Sequence, residues 1–459
     1  MSTIVMKFGG TSIEDAPSIE RVTEIVRRRL DLWPVVVISA IGKTTRNLLT
    51  AATLSAAGNG RDALAKLEEI RHYHFGLAKA LVKESRQSEL WMGLTGNFEE
   101  LRKLLEGLSV LRELTLRSQD KILSYGELIS SAIITAAFRE RGIDAVLLDA
   151  RDFIITDERF THAQPIEAIT NQRINEHVRL ALESGHVPIV QGFIGSTRDG
   201  STTTLGFEGS DYTAALVGAA LEASDIEIWK AVPGIMTSDP DIFAGVHTVK
   251  SVSFAEAGEL TFFGAKVLHP SAIHPARSKS IPMHIYNSRK PEATGTVISA
   301  CAAIGTNIIK SIAYKRPVSI LNVAPSQRIS PYDFLKAVFD VLNRERITPN
   351  IITTDEASVA LAISASEKLE PLVDDLNQFG EVHITNQRAT VSLIGENIRV
   401  AQNLPTIVFK NLNGKYIDMI SHGASPICFT FVVHESEVRD VIARLHHLFF
   451  QRLDPNIFE

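Results

Sequence analysis

The chain has 459 residues, 45% hydrophobic, 22% charged and 7% aromatic, which is enough apolar sequence for more than one buried core and excludes wholesale disorder and collagen-like repeats. Lys+Arg at 47 against Asp+Glu at 53 gives a net charge of −6, so no global positive field exists to hold nucleic acid or an anionic membrane. Cys301 and Cys428 have no CxxC or Cys/His neighbours, which argues against a zinc site or a disulfide framework and predicts two small buried hydrophobes.

The opening MSTIVMKFGG lacks a charged n-region and reaches Lys7 after a few apolar residues, so it does not read as a signal peptide. The longest apolar runs, such as Pro34 to Ile41, are shorter than the ~20 residues of a bilayer span. A cytoplasmic protein with no membrane or nucleic-acid partner is expected. Short β-rich runs then alternate with helical stretches, the pattern of an α/β layer with a mainly parallel sheet. The expected strands are Ile4–Phe8, Val35–Ser39, Ala145–Leu148, Val187–Phe193, Ile226–Lys230 and Pro282–Tyr286. Between Asn47 and Arg141, apolar residues recur at helical spacing, as in Leu101, Leu104, Leu105 and Leu108. The basic run Arg27–Arg29 suits the end of a helix and a solvated face.

Several of these strands lead into segments that can carry chemistry. Lys7-Phe8-Gly9-Gly10-Thr11-Ser12 admits two readings, a tight strand-exit turn or a cradle whose N–H groups and lysine hold a phosphate. Gly42-Lys43-Thr44 is not a P-loop, because Val37 stands where that motif requires glycine, although Ser39, Thr44 and Thr45 offer hydroxyls at a strand end. Glu127, in Ser124-Tyr125-Gly126-Glu127, is either a helix-start carboxylate or a receptor for the ammonium of a small amino acid. In Thr202 to Ala215, glycines and threonines surround Asp211, which reads as an N-cap or as the acidic centre of a phosphate site.

Near residue 300 the pattern changes to a unit that occurs twice, with corresponding elements about 70 residues apart, as expected of two small ferredoxin-like modules. The first copy is Val318–Val323, a helix Phe334–Leu342, Thr348–Thr353 and Ser358–Ile363. The second is Ala389–Leu393, a helix Ile398–Phe409, Tyr416–Ser421, Ile427–Val433 and a closing helix Glu437–Leu448. Glu356-Ala357-Ser358 against Gly423-Ala424-Ser425 is the best local match.

KFGGTS at Lys7–Ser12, SYGE at Ser124–Glu127, GSDYTAA at Gly209–Ala215, WKAVPGIMTSDP at Trp229–Pro240 and FGAKVLHP at Phe263–Pro270, in this order, resemble the aspartate kinases of the amino-acid kinase superfamily. The resemblance spans nearly the whole chain. It implies a three-layer α/β amino-acid kinase domain over residues 1–300 and tandem ACT modules of βαββαβ type over 301–459. It also implies ATP-dependent phosphorylation of the side-chain carboxylate of L-aspartate to 4-phospho-L-aspartate, the entry to lysine, threonine and methionine synthesis.

Carried over by position, Lys7 would neutralise charge on the transferring phosphoryl group and Asp211 would orient Lys7 and other donors, as the two catalytic residues. Gly9, Gly10, Ser210, Lys230, Ala231, Met236, Lys266 and Val267 would line the nucleotide. Ser39, Thr45, Glu127 and the position of Phe207 would meet aspartate, with Thr44 as an alternative to Thr45. Mg²⁺ would be held mainly by the ATP phosphates, with no protein metal ligand assigned. Phe334, Leu335, Thr348, Pro349 and Asn350 would form an amino-acid effector pocket, and a homodimer or larger assembly through the ACT modules is expected.

Departures accompany the matches. Phe207 and Glu208 stand where the family commonly has arginine and glycine, and Ala231, Met236 and Asp241 where it has aspartate, tyrosine and arginine. Arg46 and Arg198 are candidates to supply the lost guanidinium. Asn350 replaces the aspartate of lysine-inhibited members, which weakens the expectation of lysine as effector. A catalytically weakened regulatory homologue and a kinase for another small carboxylate are the alternative functions.

Overall fold

The computed structural model describes residues 2–206, 208–265, 268–303, 305–326, 330–355, 358–364 and 369–459. They form two compact units, one of residues up to 234 with 268–300, the other of residues 235–265 with the chain beyond 300. The segment around 235–265, expected in the catalytic part of the sequence, thus packs with the carboxy-terminal unit.

In the first unit the strands of the main sheet lie in the order Ala145–Leu148, Val187–Gln191, Pro34–Ile38, Ile4–Phe8, Asp225–Lys230, Met283–Asn287 and Thr296–Ser299, while Ile194–Ser196 and Thr202–Thr204 form a separate antiparallel pair. Within that main-sheet order all neighbours are parallel except the last two. IVMKF and PVVVI are buried along their whole length, as expected of central parallel strands covered on both faces. Alternation assigns those faces. Ile4, Met6 and Phe8 enter a core shared with the helices Ala16–Arg27, Gly60–Leu81 and Leu116–Glu140. Val5 lies on the opposite face, where the helix Gly209–Leu221 packs so closely that a Cβ on Gly218 would sit 2.8 Å from Ile226 and 3.7 Å from Val5.

Leu116–Glu140 is by length and composition apolar enough to cross a bilayer, although its apolar residues are interrupted by polar ones and form no run of spanning length. Its most apolar window is 78% buried inside the protein, so its side chains already have a covering layer. Arg27 and Arg28 do end a helix, Ala16–Arg27, beside Glu24.

In the second unit all six strands of the carboxy-terminal part form one antiparallel sheet, in the order Ile351–Thr354, Val359–Ser364, Ser311–Pro325, Gly380–Ile394, Cys428–His434 and Met419–His422. The two modules are interleaved within it. Val318 to Val323 pair with Val359–Ser364 in the first module, whereas Ser311 to Lys315 pair with Thr390 to Ile394 of the second. The helix Pro331–Glu345 buries Phe334, Val338, Val341 and Leu342 against Leu321 and Leu361. Most expected elements recur within a few residues of their bounds, but two strands are much longer than expected: Ser311–Pro325 begins seven residues before Val318 and Gly380–Ile394 nine residues before Ala389. Ile398–Phe409 is not one helix but a 3-10 turn, Ile398–Val400, and a helix, Leu404–Asn411, whose start is fixed by Pro405. Glu356 and Ala357 of the repeat match lie outside the described residues. Cys428 is buried as expected, but Cys301 is exposed.

Candidate active site

The strand register that buries Met6 and Phe8 turns Lys7 to the side of the Gly209–Leu221 helix, where Asp211 lies seven residues, about two turns, before Gly218 on the same helix face. Lys7 Nζ is 2.6 Å from Asp211 Oδ1. Lys230, at the end of the neighbouring strand, places its Nζ 3.0 Å from Asp211 Oδ2 and 3.7 Å from Glu208 Oε1. Burial alone would raise the Asp211 pKa, but the ammoniums of Lys230 and Lys7 outweigh it and hold the carboxyl at about 2. Among the described residues no backbone N–H donates to this carboxylate, so its charge rests on the two lysines. The helix start adds a favourable dipole. Asp211 is therefore no side-chain N-cap; the N-cap position belongs to Glu208, at φ 58°, with no capping bond.

Gly9 and Gly10 do different things. The Gly9 N–H donates to Trp229 O at 3.2 Å and is not free for a ligand. Gly10 and Thr11 keep N–H groups without a protein acceptor among the described residues. A Cβ at Gly10 would stand 2.6 Å from Ala40 O and 2.8 Å from Gly42 O, so this position requires glycine.

Glu127 belongs to the interior of the long Leu116–Glu140 helix and not to a helix start. Gly126, whose Cβ would meet that of Ala40 at 2.9 Å, lets the helix approach the loop after Pro34–Ile38. Glu127 Oε1 accepts from Ala40 N at 3.1 Å, while Oε2 is buried without a partner among the described residues. Burial pushes the Glu127 pKa up to about 8, against the opposing pull of Ala40 N–H and Lys7. A buried carboxyl with one oxygen unmatched has room to accept a hydrogen bond from a ligand donor such as an ammonium. Thr44 is not available, since its hydroxyl donates to Ile41 O at 2.6 Å and contacts His74 Nε2 at 3.2 Å. Ser39, on that loop, and Thr45, in the first turn of the helix Thr44–Ala56 that follows it, are half-buried.

Ser210 is buried beside Gly192, and Ala231 is half-buried next to Lys230. Met236 is described with the second unit, where it accepts weakly from Thr248 Oγ1 at 3.8 Å. Phe207, Lys266 and Val267 lie outside the described residues. Arg46 and Arg198 are exposed, and neither forms an ion pair among the described residues. Sequence reasoning missed Asp120. It is fully buried and accepts from Thr161 N at 2.8 Å, Thr204 N at 2.9 Å and Thr204 Oγ1 at 2.7 Å, anchoring the strand that leads to Glu208. Its signal was the spacing of seven residues before Glu127 within one apolar helix.

In the second unit, Phe334 belongs to the core and Leu335 packs against it. Thr348 is exposed and Pro349 half-buried. Asn350 is buried, its Oδ1 accepting from Lys315 Nζ at 2.8 Å and its Nδ2 donating to Ser364 Oγ at 3.3 Å.

Residues 2–287 match the model of the amino acid kinase family. Over 99% of its length the chain is 34% identical to chloroplastic aspartokinase 2 of Arabidopsis thaliana, covering 85% of that protein. The chain belongs to the aspartokinase family. The lysine-sensitive aspartokinase 3 of Escherichia coli is 34% identical over 98% of this chain and 99% of that protein. The structure of E. coli aspartokinase III with aspartate and ADP, described as the R-state, superposes with a TM-score of 0.90 at 32% identity, over 98% of this chain and all of that one. As an aspartokinase the chain is a kinase that phosphorylates aspartate.

Proposed function

We propose that this chain transfers the γ-phosphoryl group of ATP to the side-chain carboxylate of L-aspartate through the residues at the carboxyl ends of Ile4–Phe8 and Asp225–Lys230. The observation that carries the reading is the buried Lys7–Asp211–Lys230 cluster on the sheet that also supports the half-satisfied Glu127. A carboxylate oxygen attacks the γ-phosphorus, the bond to the β–γ bridging oxygen breaks, and ADP leaves. No proton moves, so no general base is needed, and catalysis consists of positioning and charge neutralisation. Lys7 faces the phosphoryl group, Gly10 and Thr11 offer N–H groups to phosphate oxygens, and Glu127 takes the ammonium of aspartate while Thr45 and Ser39 contribute hydroxyls. Mg²⁺ on ATP neutralises phosphate charge. Because both oxygens of Asp211 are occupied by ammoniums, the nucleotide is the natural holder of the ion. ADP release measured with aspartate, glutamate, N-acetylglutamate and no acceptor tests the assignment. Turnover with aspartate above the other acceptors supports it; none above the blank refutes it and favours a regulatory homologue.

Residues 1–300 are the catalytic part in this reading and 301–459 the regulatory part, which binds an amino-acid effector and joins chains into at least a dimer. The E. coli relative is named lysine-sensitive. Here the Asn350 amide is already paired with Lys315 and Ser364, so lysine is expected to bind weakly. Calorimetric titration of the full chain with lysine, threonine and methionine, with its mass in solution, decides both points.

A further inference from the structure

Lys7 and Lys230 sit at the carboxyl ends of adjacent parallel strands, with Phe8 opposite Trp229 in the register, and that end of an open α/β sheet is where ligands bind. Their ammoniums hold the two oxygens of one buried carboxylate at 2.6 and 3.0 Å. Asp211 is matched by Lys7 alone, so the second ammonium is surplus positive charge in a nearly closed site, with side chains only 6% and 14% exposed. Surplus buried charge calls for a counter-ion.

The counter-ion present is Glu208, and its backbone shows what it is for. A glutamate at φ 58° occupies the left-handed region that glycine adopts freely, and although it stands at the N-cap it makes no capping bond. Its carboxylate reaches Lys230 instead, at 3.7 Å, a looser contact than either lysine makes with Asp211. Burial raises the Glu208 pKa more than Lys230 lowers it, as befits a weakly held charge.

We propose that Lys230 is a second catalytic cation, acting with Lys7 on the oxygens of the transferring phosphoryl group, and that Glu208 is its positioning residue. The proposal rests on the phosphoryl-transfer reading above. In the absence of nucleotide, Glu208 balances Lys230. When the γ-phosphoryl group arrives, Lys230 exchanges the longer Glu208 contact for a phosphoryl oxygen and keeps its bond to Asp211. The γ-phosphorus gains the acceptor carboxylate oxygen and loses the β–γ bridging oxygen, with two fixed ammoniums sharing the charge that spreads over the equatorial oxygens.

The test compares Lys230→Met, Glu208→Gln and the double variant in the full chain. Lys230→Met should lower kcat and kcat/KM for ATP together by ~10–10²-fold, leaving KM for aspartate within about twofold. Glu208→Gln should cost less, about threefold to tenfold in kcat, and nothing further once Lys230 is gone. Lys230→Arg, which keeps the charge, serves if the methionine variant misfolds and should retain more activity than Lys230→Gln. An unchanged kcat in Lys230→Met, or additive losses in the double variant, overturns the proposal. If the wild type phosphorylates no acceptor, the reaction assignment fails separately. Calorimetry then still decides the role of Lys230, whose removal must weaken ATP more than ADP. Equal weakening of the two nucleotides would exclude contact with the γ-phosphoryl group.

Discussion

Two buried carboxylates, one in each unit, show how differently this protein treats a charge taken out of water. In the second unit, Glu256 closes the capping box of the Phe254–Phe262 helix, accepting from Ser253 N at 2.7 Å, from Glu396 N at 2.9 Å and from Lys310 Nζ at 2.8 Å. Each of its oxygens has a backbone donor, and the helix, the Lys310 strand start and the loop after Gly380–Ile394 are locked by one side chain. In the first unit, Asp211 is equally buried, but among the described residues its partners are two lysine side chains and no backbone group. A group held by backbone is part of the framework, whereas one held by side-chain ammoniums can share them with a ligand.

Breaking the framework carboxylate should have the largest effect. Glu256→Ala leaves Lys310 buried without a counter-ion, with only Ser251 O still accepting from it, and two N–H groups without acceptors, a loss of about 3–5 kcal/mol of stability. Calorimetric unfolding that stays within 1 kcal/mol of wild type would erase the contrast. At the other carboxylate the loss should appear in rate. Lys7→Ala is expected to lower kcat and kcat/KM together by ~10²–10³-fold, and a variant that raises only KM would remove Lys7 from the transition state.

Glu127 is intermediate, half-held by Ala40 N, and should show itself through pH. Its folded pKa of about 8 lies above the ordinary 4.5, so between these values the unfolded chain has lost a proton that the folded one keeps. Stability therefore falls as pH rises through this window, and Glu127→Gln should flatten that slope. Aspartate, whose ammonium favours the ionised form, should bind with release of a proton near pH 7 and more tightly as pH approaches 8. Calorimetry in buffers of different ionisation enthalpy measures that proton, and none released would take Glu127 out of the ammonium site. Glu127→Gln should raise KM for aspartate by ~10-fold, the order of one lost charged hydrogen bond.

The smallest effect concerns the thiols. Cys301 is exposed and should react with a thiol reagent in the native state, while burial pushes Cys428 up to about 12 and protects it. Labelling of Cys428 then reports opening of the second unit. Glu256→Ala should accelerate it and Lys7→Ala should leave it nearly unchanged.

Much of this was legible because hydrophobic runs and motifs coincide. Ile4–Phe8 and Ala145–Leu148 occur with the bounds expected from the sequence, and the glycine-bearing segments singled out Lys7 and Asp211, which the structure brings into contact, and the buried Glu127. The 15-residue strands Ser311–Pro325 and Gly380–Ile394 were seen only in part, because Lys315-Arg316-Pro317 and the exposed stretch around His383 interrupt the apolar alternation that marks a strand. Asp120 escaped because its partner Thr204 is 84 residues away. The ion pair of Glu208 with Lys230 joins two segments between which no sequence rule predicts a contact.

The shared strand Ser311–Pro325 has a consequence for how the carboxy-terminal sheet can be made. Its first residues wait for partners at Thr390 to Ile394, and its last residues for Val359–Ser364. A ribosome therefore releases the beginning of the second module before the first, and cannot complete either until Gly380–Ile394 has emerged. No single cut separates the modules without leaving an open strand edge, the template for misassociation between chains. The pair is thus expected to fold and to be transplanted as one piece.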